Sequence, residues 1–142
     1  MYLLSKITGD DSYMQWISDN FTGLESTGAP EQRSSGLWQN HGQCCGDAGI
    51  GDYALFLYHV TKDTRYLDYA TRTAKEIVNH AESSDGLSWK MAEHRGRPEF
   101  LEQQTGYMQG AAGVGSFLLH MASVAEGTPV KLIMPDTPFS YS

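Results

Sequence analysis

Gly46-Asp47-Ala48-Gly49-Ile50-Gly51-Asp52-Tyr53 returns later in the chain as Gly110-Ala111-Ala112-Gly113-Val114-Gly115-Ser116-Phe117, in constant register from 46/110 to 53/117. A second echo runs from Leu4-x-x-Ile7-Thr8-x-Asp10-x-x-Tyr13 to Leu57-x-x-Val60-Thr61-x-Asp63-x-x-Tyr66. A third links Ser35-Gly36-Leu37-Trp38 with Asp85-Gly86-Leu87-Ser88-Trp89. The unit is therefore a glycine-rich loop, a helix, a T-x-D-x-x-Y turn, a second helix and a short extended piece. Fixed-register repetition of a helix hairpin is the signature of stacked supersecondary units. It predicts an all-α fold of stacked helix hairpins, an α/α toroid or solenoid, of which this chain is part of an incomplete ring. The small residues of each G-x-A-G-[IV]-G would let helices approach closely, where Cβ groups would collide.

On this register the chain, residues 1–142, divides into three pieces. Residues 1–35 are the end of a preceding hairpin and its loop, 36–92 a complete hairpin unit, and 93–142 the start of a final hairpin with a tail. Stacked units bury their faces only against neighbours. The expectation is thus either missing N-terminal repeats or a homo-oligomer.

Hydrophobic periodicity fills in the elements. Residues 2–8 read as a helix end, broken at Thr8-Gly9-Asp10-Asp11. A second helix carries Tyr13, Met14, Trp16, Ile17 and Phe21, and the polar stretch from Gly23 to Gly36 reads as a loop. Leu37-Trp38 reads as a short extended piece. Helices are expected from Asp47 to Val60 and from Thr64 to Ala81, the latter strongly amphipathic. Leu87–Ala92 reads as extended, Glu93–Pro98 as a charged loop, Glu99–Gln104 as a helical turn, and Gly106–Glu126 as a glycine-punctuated helix. The segment from Gly127 holds three of the five prolines and reads as an extended surface tail.

A net charge of −7 disfavours nucleic acid and anionic membrane as partners. No apolar run is long enough to span a bilayer, and the N-terminus lacks a signal-peptide pattern. A cytoplasmic protein is the expectation.

The first glycine motif follows Trp38-Gln39-Asn40-His41-Gly42-Gln43-Cys44-Cys45, which holds both cysteines of the chain. A bond between sequence neighbours would staple nothing, so a disulfide framework is not the reading. Two soft ligands at a helix start are how a zinc–thiolate site is written, because helix-terminal N–H groups favour thiolate. The competing readings are a pair of buried small hydrophobes and, as a lesser one, a reactive thiol on a helix N-terminus. His41, three residues upstream, is a candidate third ligand or proton-transfer group, with a hydrogen-bonded loop histidine as the alternative. Asp47 reads as a helix cap or dipole partner. Tyr107 and Gln109 either face a ring centre or pack. Glu93, His94, Arg95 and Arg97 read as a solvated charged cluster. His59, His80 and His120 lie on helices and read as structural or exposed.

Cysteine before G-x-x-G-[IV], on glycine-punctuated repeats, resembles the lanthionine synthetase C-like (LanC-like) family. The resemblance covers nearly the whole chain and falls on the C-terminal portion of such proteins. Late repeats of that family carry C-H-G-x-x-G-[IV], and one subgroup replaces the histidine with cysteine. Cys44-Cys45-Gly46-Asp47-Ala48-Gly49-Ile50 is similar to that form. Gln104-Thr105-Gly106-Tyr107-Met108-Gln109-Gly110-Ala111-Ala112-Gly113-Val114 is similar to the family's last repeat, which has no metal ligands. The resemblance implies an α/α toroid around Zn2+, with Cys44 and Cys45 as adjacent ligands. It implies a third cysteine ligand, and the acid–base residues, in earlier repeats upstream of Met1. It also implies addition of a cysteine thiol, from a peptide or another thiol-containing substrate, to dehydroalanine or dehydrobutyrine. The alternatives are a non-catalytic binding or interaction module and a carbohydrate-active toroid enzyme. The last would need paired carboxylates; Asp47, Asp85 and Glu93 offer no evident pair.

Overall fold

In a computed structural model of the chain, residues 1–33, 40–92, 96–97 and 99–128 are described. They form five helices and one two-stranded ribbon, so the fold is all-α as the repeats predict. The chain divides into two compact units, Met1–Arg33 and Ser34–Ser142.

The first unit is a helix pair, α1 (Tyr2–Thr8) and α2 (Ser12–Ser26). Ile17 and Phe21, one turn apart on α2, are its buried side chains. The helix runs three residues past Gly23, where the sequence reads as loop; one glycine does not end a helix whose neighbours still gain packing and hydrogen bonds. The turn between α1 and α2 is held by local bonds. Thr8 Oγ1 donates to the Leu4 carbonyl at 2.8 Å and accepts from the Asp10 N–H at 3.2 Å, and Asp10 accepts from the Ser12 N–H at 2.9 Å.

The second unit repeats that turn. Thr61 Oγ1 donates to the Leu57 carbonyl at 2.7 Å and accepts from the Asp63 N–H at 3.2 Å, and Asp63 caps the next helix through the Arg65 N–H at 2.9 Å. It joins α3 (Asp47–Thr61) to α4 (Thr64–Asn79). The T-x-D-x-x-Y echo is thus a physical device: threonine closes one helix and aspartate opens the next.

Helix α4 buries one stripe, Tyr66, Tyr69, Ala70, Thr73 and Ile77, as its amphipathic pattern requires. Helix α3 packs against both α4 and α5 (Ala111–Ala125), so it is apolar on more than one side. The Trp89 indole N–H donates to the Ile77 carbonyl at 2.8 Å, satisfying an end group of α4. Beyond it, β1 (Lys90–Ala92) pairs antiparallel with β2 (Leu101–Gln103), with Met91 opposite Glu102.

Three expectations change. Residues 101–103 are a strand, not a helical turn, because their partner lies a loop away at 90–92. The last helix begins at Ala111 rather than near Gly106; the intervening residues form a loop. Most of the motif glycines make room for their own loop rather than for a second helix. A Cβ on Gly49 would strike the Gln43 carbonyl oxygen, and one on Gly113 the Tyr107 carbonyl oxygen. Gly51 alone of the three in its motif meets another helix, where the Phe117 ring of α5 fills the space of its missing Cβ. Leu37-Trp38, most of the charged cluster (Glu93, His94 and Arg95) and residues 129–142 lie outside the described residues.

Candidate functional site

Two loops lie side by side at the starts of α3 and α5. In the first, the Asp47 N–H donates to the Asn40 carbonyl at 3.1 Å and the Ala48 N–H to the His41 carbonyl at 3.2 Å. In the second, the Ala111 N–H donates to Gln104 at 2.9 Å and the Ala112 N–H to Thr105 at 3.3 Å. The loops therefore fold back over their own helices and satisfy first-turn donors with main-chain carbonyls. Those donors are spent within the loop, so they are not the groups that would hold a thiolate. The loops are joined through the Cys44 N–H, which donates to the Met108 carbonyl at 2.8 Å.

Cys44 and Cys45 are both exposed and form no disulfide, with their Sγ atoms 3.4 Å apart. The reading of the pair as buried hydrophobes is thereby corrected: the loop crest turns both side chains outward. Two thiolates on one tetrahedral zinc, each about 2.3 Å from the metal, stand about 3.8 Å apart. The pair comes close to that spacing, and its soft donors suit Zn2+. Among the described residues no third His, Cys, Asp or Glu joins them in a metal-sized cluster.

His41 is buried at 5% exposure. Its Nδ1 lies 2.6 Å from Asp47 Oδ2, and Asp47 is itself fully buried. Asp47 thus stands in the first turn of α3, whose N-cap is Gly46, and turns its carboxylate to the histidine. A carboxylate on Nδ1 sets the ring's orientation and leaves Nε2 as the basic nitrogen. The ring lies tilted against that of His80, the residue that caps the C-terminal end of α4, with centroids 5.3 Å apart. His80 bonds its own helix through the Glu76 carbonyl at 2.8 Å.

A second polar cluster went unread in the sequence. Gln43, buried at the base of the loop, donates through Nε2 to Asp52 Oδ2 at 2.6 Å and to the Gly113 carbonyl at 3.1 Å. The other oxygen of Asp52 accepts from His120 Nδ1 at 2.8 Å. This network ties the cysteine loop to α3 and α5 at once. Its signal was a polar residue on the apolar face of each helix, Asp52 in one and His120 in the other. His59 and Arg97 are exposed as expected, Tyr107 is half-buried, and Gln109 is exposed.

Compared with curated proteins and with solved structures, the chain gives no match in either set. A family profile described as "Lanthionine synthetase C-like protein" does match, over residues 28–128. That span takes in both glycine loops, the cysteine pair and all of α3 to α5. The chain belongs to the lanthionine synthetase C-like family.

Proposed function

We propose that this chain is a zinc-binding part of a LanC-like protein that adds a cysteine thiol to dehydroalanine or dehydrobutyrine, forming a thioether. The supporting observation is the exposed thiol pair, 3.4 Å apart, on the loop that opens α3. Cys44 and Cys45 would hold the ion, and a bound zinc supplies the Lewis acidity that keeps a substrate thiol deprotonated at neutral pH. Two protein ligands leave room for that thiol and for donors from a preceding repeat or a second copy of the chain. The substrate is a peptide or another thiol-bearing molecule. A reducing cytoplasm is the setting in which exposed neighbouring thiols persist.

The chain's own residues hold this arrangement in place. The Cys44 N–H is fixed on the neighbouring loop, and Gln43 anchors the loop base on Asp52. His41, oriented by Asp47, is the proposed proton-transfer group of the loop.

Metal analysis tests the reading. The reduced, purified chain is dialysed against zinc and its metal content measured beside a Cys44→Ala, Cys45→Ala double variant. Near-stoichiometric zinc, lost in the variant while helix content is unchanged, is expected. A folded, reduced chain that retains no zinc overturns the metal reading and leaves a binding module in its place.

A further inference from the structure

Helix α3 is covered by α5 on one face, and α5 carries the register equivalent of that face in the open. Ala48, Gly51, Asp52 and Leu55 share one side of α3 by their spacing. The Phe117 ring of α5 lies over Gly51, and His120 of α5 bonds Asp52 at 2.8 Å. Ala48 and Leu55 are buried, Leu55 at 1% exposure. The same register places Ala112, Gly115, Ser116 and Leu119 on one side of α5. There Leu119 is 70% exposed and Ala112 is exposed. Among the described residues, nothing lies within 4 Å of a Cβ on Gly115. A single exposed leucine is ordinary. This one belongs to a face whose equivalent in the preceding repeat is a packed joint.

We infer that this face of α5 docks a second copy of the chain, which lays on it the Tyr53 and Phe56 side of its α3. Tyr53 and Phe56 are the register equivalents of Phe117 and His120, the two side chains that α5 lays on α3. Phe117 is fully buried in that joint, whereas Tyr53 and Phe56 are half-buried. The two faces match position by position. Tyr53 would lie over Gly115 as Phe117 lies over Gly51. Phe56 replaces His120 and Ser116 replaces Asp52, so the charged pair of the internal joint disappears from both sides together. No charge is then buried without its partner. A helical serine also satisfies its hydroxyl on its own helix. Ala112 and Leu119 repeat Ala48 and Leu55 unchanged. The contact is head-to-tail, because each copy offers one face of each kind, and such contacts build rings or open chains. A joint between single helices is small, so the association is weak and concentration-dependent. It uses neither zinc nor the cysteine pair and stands apart from the thioether reading.

Sedimentation velocity of the full chain, reduced and held in EDTA so that metal bridges nothing, tests this. The average mass is expected to rise with concentration and to pass twice that of one chain. Leu119→Arg changes a residue that is exposed in the single chain, so folding is spared. It should weaken association about a hundredfold, because its charge would be buried unpaired in the joint. Gly115→Ala has room in the single chain and should weaken association about tenfold by overfilling the joint. Phe56→Glu blocks the other face, with circular dichroism to confirm its helices. Mixed with the Leu119→Arg chain, it should give a 1:1 complex that grows no further, since one intact face of each kind remains. A Cys44→Ala, Cys45→Ala chain should associate as the unmodified chain does. A chain that stays monomeric to about 1 mM overturns the inference. So does undiminished association of the Leu119→Arg chain, or a mixture of the two folded variants that forms no complex. Zinc content is measured separately. A monomeric chain that holds zinc removes the docking face and keeps the thioether reading, and an associating chain that holds none does the reverse.

Discussion

The loops at 40–46 and 104–110 follow one path and carry different chemistry. The same two main-chain bonds close each, and the glycine before each helix has nearly the same backbone angles, φ −152° and −148°. In register, Cys44 stands where Met108 does, Cys45 with Gln109, His41 with Thr105 and Asp47 with Ala111. The shape therefore needs none of the four chemical residues of the first loop. Glycines and carbonyls build the turn, and the positions between them are open to whatever chemistry the site requires. Fold and function share these residues by interleaving.

The comparison breaks first at its glycines. Gly51 and Gly115 are equivalent in the repeat, yet Phe117 fills the space beside Gly51 and nothing lies within 4 Å of a Cβ on Gly115. Gly51→Ala forces the aromatic ring out of a packed position and is expected to destabilise by about 2–3 kcal/mol. Gly115→Ala has room, removes backbone freedom from a helix interior, and is expected to stabilise by about 0.5–1 kcal/mol. Urea unfolding of the two variants checks this. Equal effects would mean that the repeats are not packed differently at these positions.

A smaller effect tests whether the first loop needs its buried pair. Asp47→Ala leaves His41 buried beside an empty acceptor position and is expected to destabilise by about 2 kcal/mol. Adding His41→Thr gives both positions the second loop's residues and should recover about 1 kcal/mol of that loss. The coupling, read from a double-mutant cycle in urea, measures the pair apart from the loop. Additive losses would show that the path of the first loop depends on each residue separately, unlike the second.

The repeats made much of this fold legible. Helices α3 and α4 follow from apolar spacing and from the T-x-D turn, whose hydrogen bonds are local. The register also held information that periodicity overrode: if Asp47 opens α3, the equivalent Ala111 opens α5, although the apolar pattern reads back to Gly106. Strand β2 could not be seen because all three of its residues are exposed and its partner is not adjacent. The site was half legible. The cysteines and His41 announce themselves by type. Asp52 meets His120 across 68 residues of chain and Gln43 meets Gly113 across 70, and nothing local in the sequence connects them.

In chain order the ribbon of β1 and β2 runs between the loops, and the smallest expected effect lies there. Glu82 pairs with Lys90 of β1 at 2.8 Å and accepts from Gln103 of β2 at 3.0 Å, bracing both strands from the end of α4. The Lys90 hydrogen bond holds the Glu82 carboxyl below its ordinary value of 4.5; desolvation opposes it, and the Gln103 hydrogen bond and the Lys90 charge add smaller lowering effects. A carboxylate lowered in the folded state stabilises it above the ordinary value, and that contribution fades as pH falls through the folded value. The groups are exposed, so solvent screens the pair and its share of stability is slight. Carbon-detected NMR titration should place Glu82 below 4.5, and Lys90→Met should return it toward that value. If the variant leaves the titration unchanged, Gln103 is the dominant brace. The ribbon would then be tied through β2, next to the second loop, rather than through β1.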